Sequence, residues 1–346
     1  MISNILEKLK LKNDLNNNDL DTLYQEFKNK SLTEEEIKDL LILWRKKGET
    51  PFELSTLANL INSSQKQSVK YRDAIDICGT GGDQLNTFNI STLTAIIISS
   101  LGVKVIKHSG RSNTSISGSV DILNEFGINL DISESLKESC FQKTNLMFVS
   151  SNHLREIFGS VKPICKELKI PGFVNLLGPL TNPYETAFHL LGVSNIKWGN
   201  LLSETLIQEK NLKKNTIIAC CKISENVYLD ELGFCGVNNL WEIRPDKRII
   251  QRTISPEEFS LPLTNIELLK IKDKNENKLI FESVLKGNYT SSKEKECIKT
   301  TALNTGAALF LAKKADSVKE GYEVALKHIQ SGISWEHFQN FINSSN

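Results

Sequence analysis

From Ala74 onward the chain alternates short apolar, β-branched runs with amphipathic stretches, and that alternation restricts the fold more than any other feature. "AIDICGT", "VKVIKHSG", "LMFVSS", "NTIIACC" and "NVYLDE" read as strands. "STLTAIIISSLG" and "SGSVDILNEFG" carry their apolar residues at helical spacing. Strand, loop and helix in repetition predict an α/β unit built on a mainly parallel central sheet. The stretch "TTALNTGAALFLAKKADSVKEGYEVALKHIQSG" predicts two further helices joined at "KKAD", and "IKDKNENKLIFE" reads as a surface loop or hairpin. Residues 1 to about 65 carry no strand signal. In "SLTEEEIKDLLILWRKKGETP", Thr33 or Ser31 can cap a helix whose first turn is acidic and which Lys46, Lys47 and Gly48 close. Pro51 suits the first turn of the next helix. The expected fold class is α/β: a small all-helical domain over residues 1–70 and a larger α/β domain over 71–346.

Composition removes several classes of function. A formal net charge of +1 over 346 residues gives no electrostatic case for nucleic acid or a membrane surface. Lys210, Lys213 and Lys214 read as a solvated face. Seven cysteines, including the adjacent Cys220 and Cys221, show neither a CxxC pair nor zinc spacing. Buried, reduced thiols in a cytoplasmic protein are expected. The opening "MISNILEKLKLKND" lacks a signal-peptide core, and "TAIIISSLGVKVI" is too short to span a bilayer.

Three loops carry chemistry. "GTGGD", Gly79 to Asp83, follows a strand spanning Ile75 to Cys78, where ligands of open α/β sheets sit. Its glycines let the backbone curl and bring N–H groups to an anion. Thr87 to Thr92 adds hydroxyls and opens a helix whose free N–H groups favour phosphate. The pattern is neither a P-loop nor GxGxxG, since no GK[ST] follows and Gln84 stands in the last glycine's place. The second loop, Lys107 to Ser119 after a strand at Val103 to Ile106, mixes Lys107, His108 and Arg111 with Ser112, Thr114, Ser115 and Ser119. Cations among short donors suit a pyrophosphate. A helix cap is expected at Ser117 or Ser119. The third loop, "YLDELG", brings Asp230 and Glu231 to the end of a strand-like run, where carboxylates beside a polyphosphate would hold Mg²⁺.

With "ILEKL", "KGETP", "GTGGD", "NTFNIST", "VIKH", "SGSVDIL", "FGINLD", "NLLGPLTNP", "LDE" and "NTGAALFLA" in order, the chain resembles the anthranilate phosphoribosyltransferase family over essentially its whole length. The resemblance implies that a segment at about 160–185 completes the helical domain, and that the protein is a homodimer joined through that domain. It implies transfer of the phosphoribosyl group from 5-phosphoribosyl 1-pyrophosphate to the amine of anthranilate, a step of tryptophan biosynthesis, or to a related small aromatic acceptor. Pyrophosphate would leave, with Mg²⁺ as cofactor. Gly79, Gly82, Asp83, Thr87, Asn89, Ile90, Ser91 and Thr92 would contact the donor. Lys107, Arg111, Ser112, Asn113, Thr114, Ser115 and Ser119 would take its phosphate oxygens. Ser91, Asp230 and Glu231 would hold metal. Gly79, His108, Gly110, Cys165, Gly178 and Pro179 would form the acceptor site. Electrostatic stabilisation and positioning suffice for such a transfer, so no catalytic nucleophile or base is assigned.

Two positions depart from the family pattern. Gly110 stands where the family has an asparagine that contacts anthranilate, and Cys165 where an arginine faces the anthranilate carboxylate. A thiol cannot replace a guanidinium fork. The expectation is therefore a donor site kept and an acceptor site rewritten, with Lys162, Lys166 or Arg155 as replacements for the lost charge. A homologue with another acceptor, a nucleoside phosphorylase, and a non-catalytic homologue binding nucleic acid or another partner are the competing readings.

Overall fold

An eight-stranded mixed sheet organises the computed structural model, which describes residues 2–65, 70–110, 116–168, 170, 172–209, 212 and 214–345. Its strands are β1 (Lys70–Gly79), β2 (Val105–Ser109), β3 (Leu146–Ser150), β4 (Glu185–Gly192), β5 (Asn215–Lys222), β6 (Tyr228–Leu229), β7 (Val237–Ile243) and β8 (Ile249–Ile254). They lie in the order β3-β2-β1-β4-β5-β7-β8, with β6 paired to β5. The pairs from β3 through β5 are parallel. The pairs of β6, β7 and β8 are antiparallel. The parallel strands are buried, as helices on both faces require.

Four helices precede the sheet: α1 (Ile2–Lys10), α2 (Asn17–Lys28), α3 (Glu34–Lys47) and α4 (Pro51–Gln65). Thr33 caps α3 in a reciprocal box with Glu36, and Gly48 ends it at φ 91°. Glu53 is fully buried yet satisfied: it accepts from Leu15 N, Trp44 Nε1, Lys47 Nζ and Thr50 N at 2.8–3.0 Å. One carboxylate thus ties α4 to the α1–α2 connection and to α3.

The remaining helices are α5 (Ile90–Ser100), α6 (Ser119–Glu125), α7 (Glu134–Thr144), α8 (Asn152–Phe158), α9 (Val161–Leu168), α10 (Phe173–Leu177), α11 (Ile196–Ile207), α12 (Lys274–Lys286), α13 (Ser292–Leu311), α14 (Val318–Gln330) and α15 (Ile333–Ser345). One apolar cluster joins α1–α4 to α8–α10 and runs through α11 onto Leu191, Ile218 and Trp241 of the sheet. A second gathers α5, α6 and α12–α15 with Ile77, Val105 and Ile217. Among the described residues no helix is long and apolar enough to cross a membrane.

Three local expectations are corrected. β2 runs to Ser109, so Lys107 and His108 are strand residues registered against Phe148 and Val149 of β3, and the second loop is shorter than its polar residues suggested. "IKDKNENKLIFE" forms most of helix α12: Asp273 caps it, and Ile280, Phe281, Val284 and Leu285 turn inward, a 3.6-residue stripe hidden among lysines. α6 is preceded by Gly118, whose N–H donates to Asp121 Oδ2 at 2.8 Å, rather than by a capping serine. The edge hairpin of β7 and β8 carried no strand signal recognised in the sequence.

Candidate active site

The tips of β1 and β2, the start of α5, the β6 end and the α8–α10 segment enclose a cavity of about 260 Å³. β1 delivers the glycine turn. Gly81 and Gly82 take φ of 65° and 89°, conformations that cost other residues energy, and the turn brings Gly81 N to 2.9 Å from Asp230 Oδ2. Gly79 and Gly192 flank Asp230 so tightly that a Cβ on either would stand 2.9 Å from its Oδ2 or 1.7 Å from its carbonyl oxygen. The acids of two loops, 147 residues apart, therefore meet because Gly81 and Gly82 make the turn and Gly79 and Gly192 make room.

Asp83, Asp230 and Glu231 form that acidic group and all line the cavity. Burial raises all three carboxyl groups, and the Asp83 and Glu231 charges push Asp230 further in the same direction. Glu231 is pushed up to about 7, with Lys107 opposing the rise. Asp83 Oδ1 accepts from Leu85 N, but its buried Oδ2 has no partner among the described residues. Buried carboxylates with an unmet oxygen form the donor set a small hard cation takes.

Opposite lies the start of α5. Asn89 precedes it without capping it; its side chain instead donates to Ser117 O at 3.1 Å and accepts from Asn277 Nδ2 at 2.6 Å. Ile90 N turns back to donate to Phe88 O at 2.8 Å and Ser91 hydrogen-bonds Glu231, so the helix start, with Asn89, Ile90 and Ser91 lining the cavity, is tied to the acidic group. Lys107, 2% exposed, donates to Ile77 O at 2.6 Å and Ser91 Oγ at 3.1 Å, and burial lowers its pKa. Thr87, Gly82 and Ser119 also face the cavity. Thr92 does not; fully buried, it donates to Ser119 Oγ at 3.0 Å and so props that residue from behind. Arg111, Ser112, Asn113, Thr114 and Ser115 lie outside the described residues.

The remaining wall is built around His108. Its Nδ1 lies 3.1 Å from Gly178 O; a carbonyl can only accept, so Nδ1 carries the proton and the neutral ring leaves Nε2 as a bare acceptor. That Nε2 is buried without a partner, and burial lowers the ring's pKa, so the neutral form prevails at neutral pH. The ring stacks on His153 at 5.2 Å. Asp76 fixes the backbone below: its Oδ1 accepts from His108 N at 3.0 Å and its Oδ2 from Asn182 Nδ2 at 2.9 Å. Gly110, Gly178 and Pro179 line this part with Leu154, Val174 and Lys162. Cys165 does not line the cavity. Its Sγ lies against Gly172, within 2.7 Å of where a Cβ there would stand, and the side chain joins the apolar cluster of the first helices.

Nothing in the sequence joined Asp76, Asn182 and His108, and Asn175, which lines the cavity from α10, carried no signal of its own. The "NLLGPLTNP" motif was the clue to Asn182, but the motif alone does not name the residue it grips.

A mainly parallel sheet whose strand tips combine a glycine turn, a helix start and three crowded acids is the frame of a glycosyl transferase of the α/β class. The family model described as "Glycosyl transferase family, a/b domain" matches residues 71–334. The anthranilate phosphoribosyltransferase of Dehalococcoides mccartyi is 31% identical over 315 residues, covering 90% of this chain and 89% of its own. That of Streptococcus pneumoniae is 32% identical over 333 residues, covering 96% of each chain. The crystal structure of the Thermus thermophilus enzyme superposes with a TM-score of 0.84 at 26% identity over 98% of both chains. A Saccharomyces cerevisiae anthranilate phosphoribosyltransferase in complex with PRPP and Mg gives 0.85 at 24% identity over 99% and 97%, a likeness that speaks to the fold alone. The chain belongs to the anthranilate phosphoribosyltransferase family, enzymes of the pentosyltransferase class.

Proposed function

We propose that this protein moves the phosphoribosyl group of 5-phosphoribosyl 1-pyrophosphate to the amine of anthranilate, in tryptophan biosynthesis, and releases pyrophosphate. The observation that carries the reading is the meeting, in one cavity, of the Gly79–Asp83 turn, the start of α5, Lys107 and the acids Asp83, Asp230 and Glu231. An anionic sugar diphosphate matches the N–H groups and the ammonium. In the reaction the bond from the sugar's anomeric carbon to pyrophosphate breaks, a bond from that carbon to the amine nitrogen forms, and one amine proton is lost. That proton passes to solvent, while His108, kept neutral by burial and bonded through Nδ1 to Gly178 O, lines the cavity wall.

The acids fit Mg²⁺: they are oxygen ligands, crowded, buried and incompletely satisfied. Asp83, Asp230 and Glu231, with Ser91, would hold it, and when bound it would neutralise pyrophosphate charge and improve the leaving group. Gly82, Thr87, Asn89 and Ile90 would contact the donor, Lys107 and Ser119 its phosphates, and Thr92 would support Ser119. Arg111 to Ser115 keep their expected phosphate role. His108, Gly110, Gly178 and Pro179 would shape the acceptor end.

Residues 1–70 with about 160–185 would act as a helical domain and the rest of 71–346 as the α/β domain; α9 and α10 pack with α1–α4 in one apolar cluster, which also takes in α8 and reaches the sheet. A homodimer through the helical domain would cover Leu11 and Phe52, 69% and 42% exposed. Seven free cysteines suit a reducing, cytoplasmic setting. The test is a product assay with labelled donor, Mg²⁺ and anthranilate: an N-phosphoribosyl product is expected. Donor binding without product would point to another aromatic amine as acceptor, which the glycine at position 110 and the withdrawn Cys165 would then explain.

A further inference from the structure

The family arginine position is occupied by Cys165, and that side chain is packed away from the cavity. The carboxylate of an anthranilate-like acceptor then needs another cation. Three basic residues lie near. Lys166 is exposed and Arg155 is exposed, and neither borders the cavity. Arg155 borders a separate small pocket beside Asp131 and Asn152. Lys162 does border it, beside the wall made by Leu154, Val174, Gly178 and Pro179.

Lys162 sits on α9 three residues before Cys165, hence on the same side of the helix and about one turn earlier. A four-carbon stem spans that turn, so an ammonium starting at 162 reaches the region that a guanidinium starting at 165 would serve. Among the described residues Lys162 makes no hydrogen bond or ion pair. It is partly buried, and burial together with the Arg155 charge lowers its pKa. A cation held in a half-dry wall without an anion gains more than a solvated one when an anion arrives. The acids of the cavity do not serve it: Asp83, Asp230 and Glu231 gather at the β1 and β6 tips, where Lys107 faces them.

We propose that Lys162 binds the carboxylate of the acceptor, selecting an aromatic amine that bears an acid group, an inference that rests on the phosphoribosyl-transfer reading above. The geometry makes it a specificity residue, separate from the donor site.

The test compares the wild type with Lys162→Gln and Lys162→Arg, using anthranilate and its neutral analogue anthranilamide. Lys162→Gln is expected to raise the KM for anthranilate about 10- to 100-fold, the loss of one charged hydrogen bond. The KM for the donor should stay within about twofold, and the preference for anthranilate over anthranilamide should collapse. Lys162→Arg should recover most of the preference. An unchanged preference in Lys162→Gln overturns the proposal, as does an equal rise in both substrates' KM. Titration of anthranilate fluorescence separates this from the functional reading. If the wild type binds anthranilate without transferring to it, the reading of the reaction fails, while a 10- to 100-fold weaker binding by Lys162→Gln still supports the lysine. Equal binding by both, or none by the wild type, overturns it.

Discussion

His108 and His189 are both buried imidazoles, and their surroundings give them opposite uses. His108 donates from Nδ1 to Gly178 O, stacks on His153 and lines the cavity wall. Asn at this position keeps a donor near Gly178 but loses the ring that stacks on His153. His108→Asn is therefore expected to raise the acceptor KM by about tenfold, the worth of one ring contact in the wall, with the donor KM nearly unchanged; steady-state kinetics with both substrates varied would check it. His189, on β4 beside Asp76, lies within 3.2 Å of Cys78 Sγ and away from the cavity. Burial pushes its pKa down to about 4. Between pH 6.5 and 4 the unfolded chain takes up a proton there that the folded chain refuses, so stability falls as the pH falls through that window. His189→Gln removes this contribution. Denaturant unfolding at pH 7, 5.5 and 4 should show the wild type losing on the order of 3 kcal/mol more than the variant. Equal losses would mean the ring is charged in the fold.

Elements deliver these residues, and the sequence revealed them unevenly. The glycine turn after β1, the helix α5 and the Asp230–Glu231 pair were legible because each signal is local: a turn needs glycine, a helix start needs free N–H groups, a metal needs acids. The reach of β2 was not, because Lys107 and His108 look like loop residues until pairing with β3 buries them. Asp76 could not be joined to Asn182 by pattern, since 106 residues separate them. Nor does spacing say that the Cys165 thiol stops against Gly172 while the longer Lys162 reaches the cavity. The contact between the end of β4 and the β6 loop shows what local signals omit. Gly192 reads as the end of a strand, yet a Cβ on it would lie 1.7 Å from Asp230 O, an impossible approach. Gly192→Ala must push the Asp230–Glu231 loop outward. It is expected to cost about 1–3 kcal/mol of stability and to weaken Mg²⁺-dependent donor binding by more than about tenfold. Calorimetric titration and thermal unfolding of the same sample would measure both, and unaltered donor binding would show that the loop tolerates the shift.

For the molecule as a whole, the acid cluster sets stability against function. Asp83, Asp230 and Glu231 are held together in a buried setting that raises all three, so the ligand-free fold bears a repulsion that a divalent cation would relieve. The cavity borders both apolar clusters, since Leu154, Val174 and Cys78 belong to one while Phe88 and Ile90 belong to the other. A ligand seated there touches elements packed in separate cores and stabilises the fold by mass action, about 2.7 kcal/mol at a hundred times its Kd. Donor and Mg²⁺ together are therefore expected to raise Tm by several degrees, with either alone giving much less. Asp230→Asn keeps an oxygen for Gly81 N but removes a charge from the cluster. It should raise the ligand-free Tm by about 2–4 °C while abolishing the combined shift, the exchange expected where a strained site serves binding. Differential scanning fluorimetry of both proteins across the four ligand conditions decides it. A variant that is less stable when ligand-free, or that still responds to donor with Mg²⁺, would mean that the three carboxylates are neither in conflict nor the cation's seat.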